Sequence, residues 1–364
     1  MITSKQAIKG CLIYTPKHQI HRAAVTSRET PERLVDGYNY IKNRTDILDS
    51  FELVEDFPPA TEEDILRIHE KPYVEFMKNY CEKGGGFLGD STYVQKGTCK
   101  AARYSAGGAI EACRRVMGDD DVSFALIRPP GHHAMPDRHG GYCIFNNAAI
   151  AARWLQDQGM KKIMILDWDG HAANGTMRIF YEDPTVLTIS IHRNPEGFYP
   201  HDGYIHQVGR GAGMGHSVNV CLPHGAGDKE FKMACDQIVF PLIREFLPDF
   251  VIGCNGFDSH HSDEVVRLRY TSKSYYFIAK RLSEMYNGRL ALIMEGGYKK
   301  FNGKLLHSIL SGLSGKDNPV EELDDNLSRS LMQMTNIFKE TEDHLDRLKS
   351  TLSDYPLGRR AFVE

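Results

Sequence analysis

Five short apolar runs constrain what this 364-residue chain can fold into: each is rich in β-branched residues, and each stops abruptly in a loop of Gly, Asp, Asn or His. They occupy residues 122–127 before RPPGHH, 163–166 before DWDGH, 186–191 before HRNPEGFYP, 250–254 before NGFDSHH and 290–294 before EGGY. A run without polar alternation marks a strand buried on both faces. Helix-like stretches at 147–158, 231–246 and 272–286 fall between the runs. Strands alternating with helices predict an α/β fold, a single-domain three-layer α/β/α arrangement with a mainly parallel central sheet. In such sheets the ligand crevice opens at the carboxyl ends of the strands. The His, Asp and Tyr clusters that follow the runs are therefore expected at one common edge.

Composition narrows the class. Lys plus Arg is 44 against 48 Asp plus Glu, with 41% hydrophobic and 25% charged residues. These values exclude a disordered chain and a collagen-like fibre, and they argue against a generic, basic nucleic-acid binder. Eight cysteines without a C-x-x-C pair are expected to be reduced thiols, as in a cytoplasmic protein. The start MITSKQAIKGCLIYT lacks the apolar core of a signal peptide, and no stretch approaches the roughly 18 apolar residues of a membrane span. Neither a membrane nor a nucleic acid is thus expected as a partner, while a homo-oligomer stays open. No linker or repeat divides the chain. Residues 1–317 are expected to form the main domain, and 318–364 a helical extension packed on it, with Leu345, Leu348 and Leu352 at helical spacing.

Histidine is the compositional oddity, sixteen against two tryptophans. Asp167, Asp169 and His171 alternate after a strand, and an extended chain would turn all three to one face. Asp258 follows a second strand and can join them. One imidazole and two carboxylates, His171 with Asp169 and Asp258, would hold a divalent metal and leave positions for water and substrate. Strand-end aspartates also serve as plain helix caps, so the convergence matters more than the motif. His132 and His133 stand on a loop stiffened by Pro129, Pro130 and Gly131, a setting suited to proton transfer. Asp167 and Asn174 are natural partners for these two rings. Tyr298 ends the last loop, where Gly296 and Gly297 allow close backbone approach, and its phenol can donate to an oxyanion. Alone, such a tyrosine is more often packing. GRGAGMG at 209–215 precedes a strand-like run instead of following one, so its dinucleotide-loop reading fails. His201, His206, His216 and His224 read as solvated, Asp119–Asp121 as a solvated turn, and His260 with His261 as rim or supporting residues.

The ordered set ETPERL (29–34), GDSTYVQKGT (89–98), RPPGHHA (128–134), GGYCIFNNAAIAA (140–152), LDWDGHAANGT (166–176), SIHRNPEGFYP (190–200), NGFDSHHSD (255–263) and EGGY (295–298) resembles the histone deacetylase and acetylpolyamine amidohydrolase family. The resemblance is to its class II and bacterial or archaeal-type members, which have the arginase/deacetylase fold. It implies that Asp169, His171 and Asp258 bind one catalytic Zn2+, for which Fe2+ or Co2+ can stand in. His133 would be the general base and acid, His132 its electrostatic partner and Tyr298 the oxyanion donor. Asp167 with Ser190 and Ile191 matches the family's structural K+ site. Asp90 matches the rim aspartate, and Gly141, Tyr142 and Tyr199 the channel wall. The implied reaction removes acetyl or another short acyl group from an N-acylated alkyl amine, either an acetyl-lysine protein or a small acetylated amine such as an acetylpolyamine.

Two other readings make different demands on the residues. An arginase-like amidine hydrolase needs a two-metal cluster with further carboxylates. A catalytically inactive acyl-ligand-binding relative would be expected to have lost Tyr298 or one tandem histidine. The chain departs from the family at Ala172 and Ala173, at His201 and Asp202, and at D-E-V (263–265). The last two departures bear on substrate more than on catalysis, and Val265 gives no sign of an acidic, polyamine-selecting gate.

Overall fold

The computed structural model describes residues 8–22, 27–299, 301–322 and 330–363. Within it the strands are β1 (Gly10–Ile13), β2 (Phe51–Val54), β3 (Gly86–Gly89), β4 (Thr92–Val94), β5 (Val122–Ala125), β6 (Ile163–Asp167), β7 (Val186–Arg193), β8 (Ser217–Leu222), β9 (Phe250–Asn255) and β10 (Leu290–Met294). Eight of them make one sheet in the order β2-β1-β5-β10-β9-β6-β7-β8, and every pairing in it is parallel. All five apolar runs are strands of this sheet, and they are its adjacent strands β5, β10, β9, β6 and β7.

Both faces of the sheet are covered because alternate residues of each strand feed different cores. In β6, Met164 and Leu166 join one cluster while Ile163 and Ile165 join the other. All four are essentially without solvent contact. Each such side chain contributes about 1.5–3 kcal/mol by leaving water. Three layers follow. The helices Asn147–Asp157 and Ser272–Tyr286 occupy the expected stretches, whereas 231–246 is one helical run broken by a π turn at Cys235–Val239. Leu345, Leu348 and Leu352 of the helix Leu331–Ser353 pack into the first cluster, as does Leu357 of the helix Pro356–Phe362. Residues 1–7, 323–329 and Glu364 lie outside the described residues, so the signal-peptide reading and part of the extension find no structural counterpart there. Among the described residues no helix is long and apolar enough to cross a membrane.

Register levels the strand ends. Asp167 lies opposite Ser190 on one side and Cys254 on the other, and Met294 lies opposite Asn255. The loops that follow therefore leave the sheet together. A separate hairpin, β3 and β4, turns through Asp90 and Ser91, both at positive φ (47 and 58°), as a two-residue type I′ turn requires. Beneath the loop after β5, the buried Arg128 guanidinium donates to Glu29 Oε1 and Oε2 (2.8 and 2.6 Å) and to the carbonyl of His18 (2.8 Å). Burial alone would raise the Glu29 pKa. The Arg128 charge and the His21 imidazole outweigh it and hold the carboxyl well below its usual value.

The cysteine expectation is corrected at one place. Cys81 and Cys99 are joined by a disulfide, because the helices Lys71–Glu82 and Thr98–Met117 bring their Cα atoms within 6.3 Å. A spacing of 18 residues gives no hint of this in a sequence read without its fold. The other six cysteines are buried and free.

His69 ties the front of the helix Asn147–Asp157 to the hairpin loop at Met135. Its Nε2 accepts from the backbone N–H of Asn146 (2.9 Å), so the proton sits on Nδ1 and is donated to the Met135 carbonyl (2.9 Å). Burial lowers its pKa from 6.5 to about 4. The unfolded chain takes up this proton first, so the contribution is complete above about pH 6.5 and is lost as pH falls toward 4. In urea denaturation at stepped pH, the difference between wild type and His69→Gln should change by an amount on the order of 3 kcal/mol across that window. His69→Gln should flatten that slope, and an unchanged slope in the variant would refute the assignment.

Candidate active site

Five adjacent strands each deliver chemistry to the same edge of the sheet. The loop after β5 carries His132 and His133, β6 ends in Asp167 and runs on through Asp169 and His171, and β7 leads to Phe198 and Tyr199. Asp258 follows β9, and Glu295 through Tyr298 follow β10. A cavity of about 220 Å³ opens among them, lined by His132, His133, His171, Asp258, Tyr199 and Tyr298 with others. Gly141 and Tyr142 also line it, both at positive φ (48 and 71°). Adding a Cβ at Gly141 would put it 2.4 Å from the His133 ring, so only glycine lets this loop lie against the imidazole.

His171 Nδ1 sits 2.9 Å from Asp258 Oδ2 and 3.2 Å from Asp169 Oδ1. Both carboxylates are buried. Their remaining oxygens accept backbone N–H groups, Asp258 Oδ1 from Gly170 (2.9 Å) and Asp169 Oδ2 from Gly296 (2.8 Å). Burial and the neighbouring Asp169 charge push the Asp258 pKa up. Burial opposes charge on His171, yet its hydrogen bonds to Asp169 and Asp258 raise it to about 9. The arrangement thus calls for cationic charge at one point. Three ligand atoms of the right kind converge there, within 4.8 Å of one another, and this donor set fits a divalent ion. The backbone is shaped around it: a Cβ at Gly256 would fall 2.0 Å from Asp169 Oδ2, and one at Gly296 would fall 2.5 Å from that oxygen and 2.7 Å from Asp258 Oδ2.

The tandem histidines differ in partner. His132 Nδ1 donates to Asp167 Oδ2 (3.1 Å), while His133 Nδ1 lies 2.7 Å from Asn174 Oδ1 and donates to it. Burial lowers the pKa of both rings. For His132 the charges of Asp169 and Asp167 outweigh burial and raise it to about 10. For His133 the nearby His132 and His171 add to burial, and it falls well below 6.5. One ring is held as a cation. The other is held neutral, with its Nε2 lone pair free.

Asp167, Asp169 and His171 are not on one extended face. β6 ends at Asp167, and the chain then turns so that Asp167 meets His132 while Asp169 and His171 meet Asp258. Asp167 Oδ1 accepts the Asp169 N–H (2.9 Å). Ser190 is paired with Asp167 in the ladder and its Oγ accepts from Ala173 N (3.2 Å), whereas the Ile191 side chain is core. Asp90 stands at the rim, its Oδ2 accepting from the Tyr199 hydroxyl (2.8 Å) and its carbonyl from Gly141 N (3.1 Å). His260 and His261 do not enter the cavity and turn instead to Glu322.

Sequence reasoning passed over several participants. Phe198 stacks nearly flat on His171 (5.0 Å, 16°). Glu295 Oε2 accepts from Gly131 N (2.7 Å) and His132 N (3.2 Å). Arg33 donates to the carbonyls of Gly297 (2.7 Å) and Glu295 and lies over the Tyr298 ring (4.7 Å). Each belongs to a motif already noticed, but its role depends on a partner more than a hundred positions away or on a ring it faces.

Residues 27–310 match the histone deacetylase domain model. The chain belongs to the histone deacetylase family. It is a hydrolase of amide bonds. A probable deacetylase of Archaeoglobus fulgidus is 35% identical over 94% of this chain and 95% of its own length. The histone deacetylase-like amidohydrolase of Pseudomonas aeruginosa is 36% identical over 70% of each chain. The chloroplastic histone deacetylase 10 of Oryza sativa is 37% identical, but this chain spans only 59% of it. Among solved structures, the HDA15 HD domain superposes with a TM-score of 0.82 at 28% identity, covering 95% of this chain and 98% of that one. The family fold is the three-layer arrangement described above.

Gly296→Ala should lower divalent-metal affinity about 10- to 100-fold, because the new methyl group displaces the two carboxylates while leaving the strand intact. Competition against a chromophoric chelator measures this, and unchanged affinity in a folded variant would show that the glycine does not shape the metal point.

Proposed function

We propose that this family hydrolase is a zinc-dependent deacetylase acting on N-acylated alkyl amines. The observation that carries the reading is the convergence of Asp169, His171 and Asp258 beside a neutral His133, a cationic His132 and the Tyr298 phenol in one cavity. Asp169, His171 and Asp258 would hold the ion. When bound, it supplies Lewis acidity toward the amide carbonyl and lowers the pKa of water.

The protein's own residues supply the rest. His133, with Nδ1–H committed to Asn174, offers Nε2 to take a proton from the attacking water and later returns that proton to the leaving amine. His132, paired to Asp167, keeps positive charge beside the developing oxyanion. Tyr298, propped by Arg33, donates its O–H to the same oxyanion. Phe198, Tyr199 and Tyr142 wall the acyl-bearing stem from water. Asp90 at the rim accepts from the substrate's backbone amide. A monovalent cation, K+, is assigned to Asp167, Ser190 and Ile191; Asp167 pairs with Ser190 in the β6–β7 ladder, and Ile191 follows it on β7. Residues 1–317 form the catalytic domain in this reading, and 318–364 its helical extension.

Acetyl-lysine side chains are placed ahead of acetylated polyamines. A polycationic amine calls for a ring of acids at the mouth, whereas this mouth sets Arg28 and Val265 beside the rim carboxylate of Asp90, with Asp263 turned through Oδ1 to the N–H groups of Val265 and Val266. A panel of acetyl-lysine peptides and acetylated diamines, with and without chelator, tests both parts. No metal-dependent acetate release from any member refutes the enzyme reading, and a preference for diamines refutes the substrate order. Tyr298→Phe should cut turnover about 100- to 1000-fold with metal content unchanged. Nearly full activity would remove the tyrosine from the mechanism.

A further inference from the structure

A second group of ligand-type side chains converges outside the cavity. His260 Nε2 lies 2.7 Å from Glu322 Oε1, and His261 Nε2 lies 3.1 Å from the same oxygen. The three ligand atoms are within 4.8 Å of one another. Consecutive side chains normally diverge, in helix and strand alike. Here the backbone after Asp258 turns, with the His261 N–H donating to the Tyr270 carbonyl (2.9 Å), and the rings end 4.2 Å apart with a 42° tilt.

Each donor is held in place by something other than its fellows. His260 is buried, stacks on Phe301 (4.8 Å, 18°) and has its other ring nitrogen 2.8 Å from Ser262 Oγ. The Ser262 N–H also donates to that nitrogen (3.2 Å), so Ser262 fixes the orientation of the ring from its far side. Glu322 Oε2 accepts the N–H of Ser272, the first residue of the helix Ser272–Tyr286. The segment before it is fastened by Ser272 Oγ to the Val320 carbonyl (3.2 Å) and by Val320 N to Asn318 Oδ1 (3.2 Å). The carboxylate is therefore fixed through both oxygens and aimed at the two rings.

Without an ion, each ring can donate an N–H to the shared oxygen; a divalent ion among the three atoms displaces those protons and takes both nitrogens as ligands. Two nitrogen donors and one carboxylate suit a borderline ion of the zinc class. His261 keeps 27% of its side chain exposed, which supplies an entry path.

We propose that His260, His261 and Glu322 form a second divalent transition-metal site, distinct from the Asp169–His171–Asp258 cluster, that clamps the start of the carboxyl-terminal extension to the loop following Asp258. Through Phe301 the clamp also touches the segment just beyond Tyr298. The site draws on none of the residues assigned to catalysis.

The test uses the full chain, stripped with chelator and titrated with Co2+ followed by d–d absorption, then with Zn2+ by mass spectrometry under native conditions. Wild type should take up about two equivalents, Glu322→Gln about one and His171→Ala about one, each removing a different absorption band. About one equivalent in wild type, unchanged by Glu322→Gln, overturns the proposal. If His171→Ala binds as much as wild type while Glu322→Gln loses an ion, the catalytic-metal reading fails and this site stands. If Glu322→Gln does not fold, His261→Ala, at a partly exposed position, decides by the same count.

Discussion

Four carboxylates, those of Asp167, Asp169, Asp258 and Glu295, crowd the carboxyl edge of the sheet with almost no access to water. Leaving such charges unpaired in a protein interior costs several kcal/mol each, so everything nearby is arranged around them. Backbone N–H groups of Gly131, His132, Asp169, Gly170 and Gly296 point at their oxygens, and His132 and His171 bring positive charge. Glycines at 256 and 296 keep the space that any Cβ would take from them. Asp169 and Asp258 converge on His171, and the three ligand atoms fit a divalent ion.

The same requirement reaches into the amino-terminal part of the chain. Glu29 and Arg128 make a buried pair that is also bonded to carbonyls, and Arg33 extends it toward Glu295 and Gly297. A buried pair of this kind adds little net stability, but breaking it by removing one partner costs about 3–5 kcal/mol. Its effect is positional: it joins ETPERL to the loop of the tandem histidines and to the backbone that presents Tyr298. Second-layer order of this kind fixes proton-transfer groups to within the tolerance that catalysis needs.

Much of this was legible in the chain. Continuous apolar runs named the five central strands, because a strand buried on both faces has no polar alternation to hide. Asp169, His171, Asp258, His132, His133 and Tyr298 all followed such runs, so their meeting at one edge was expected. Other features gave no local signal. The edge strand β2 and its neighbour β1 are short, the hairpin turns on Asp90 and Ser91 without glycine at either positive φ, and the Cys81–Cys99 pairing depends on how two helices lie together. His260 and His261 read as rim residues because their partner, Glu322, comes from a segment with no chemistry in its own sequence.

The sequence by itself determined the layer type, the parallel character of the sheet and the residues proposed to carry chemistry, since periodicity and loop composition are local properties. Only the tertiary structure decided the strand order and register that set Asp169, Asp258 and Gly296 in hydrogen-bond contact. It also decided which histidine is held cationic and which neutral. That division comes from burial and from the charges packed against each ring, and adjacent residues in the chain share neither.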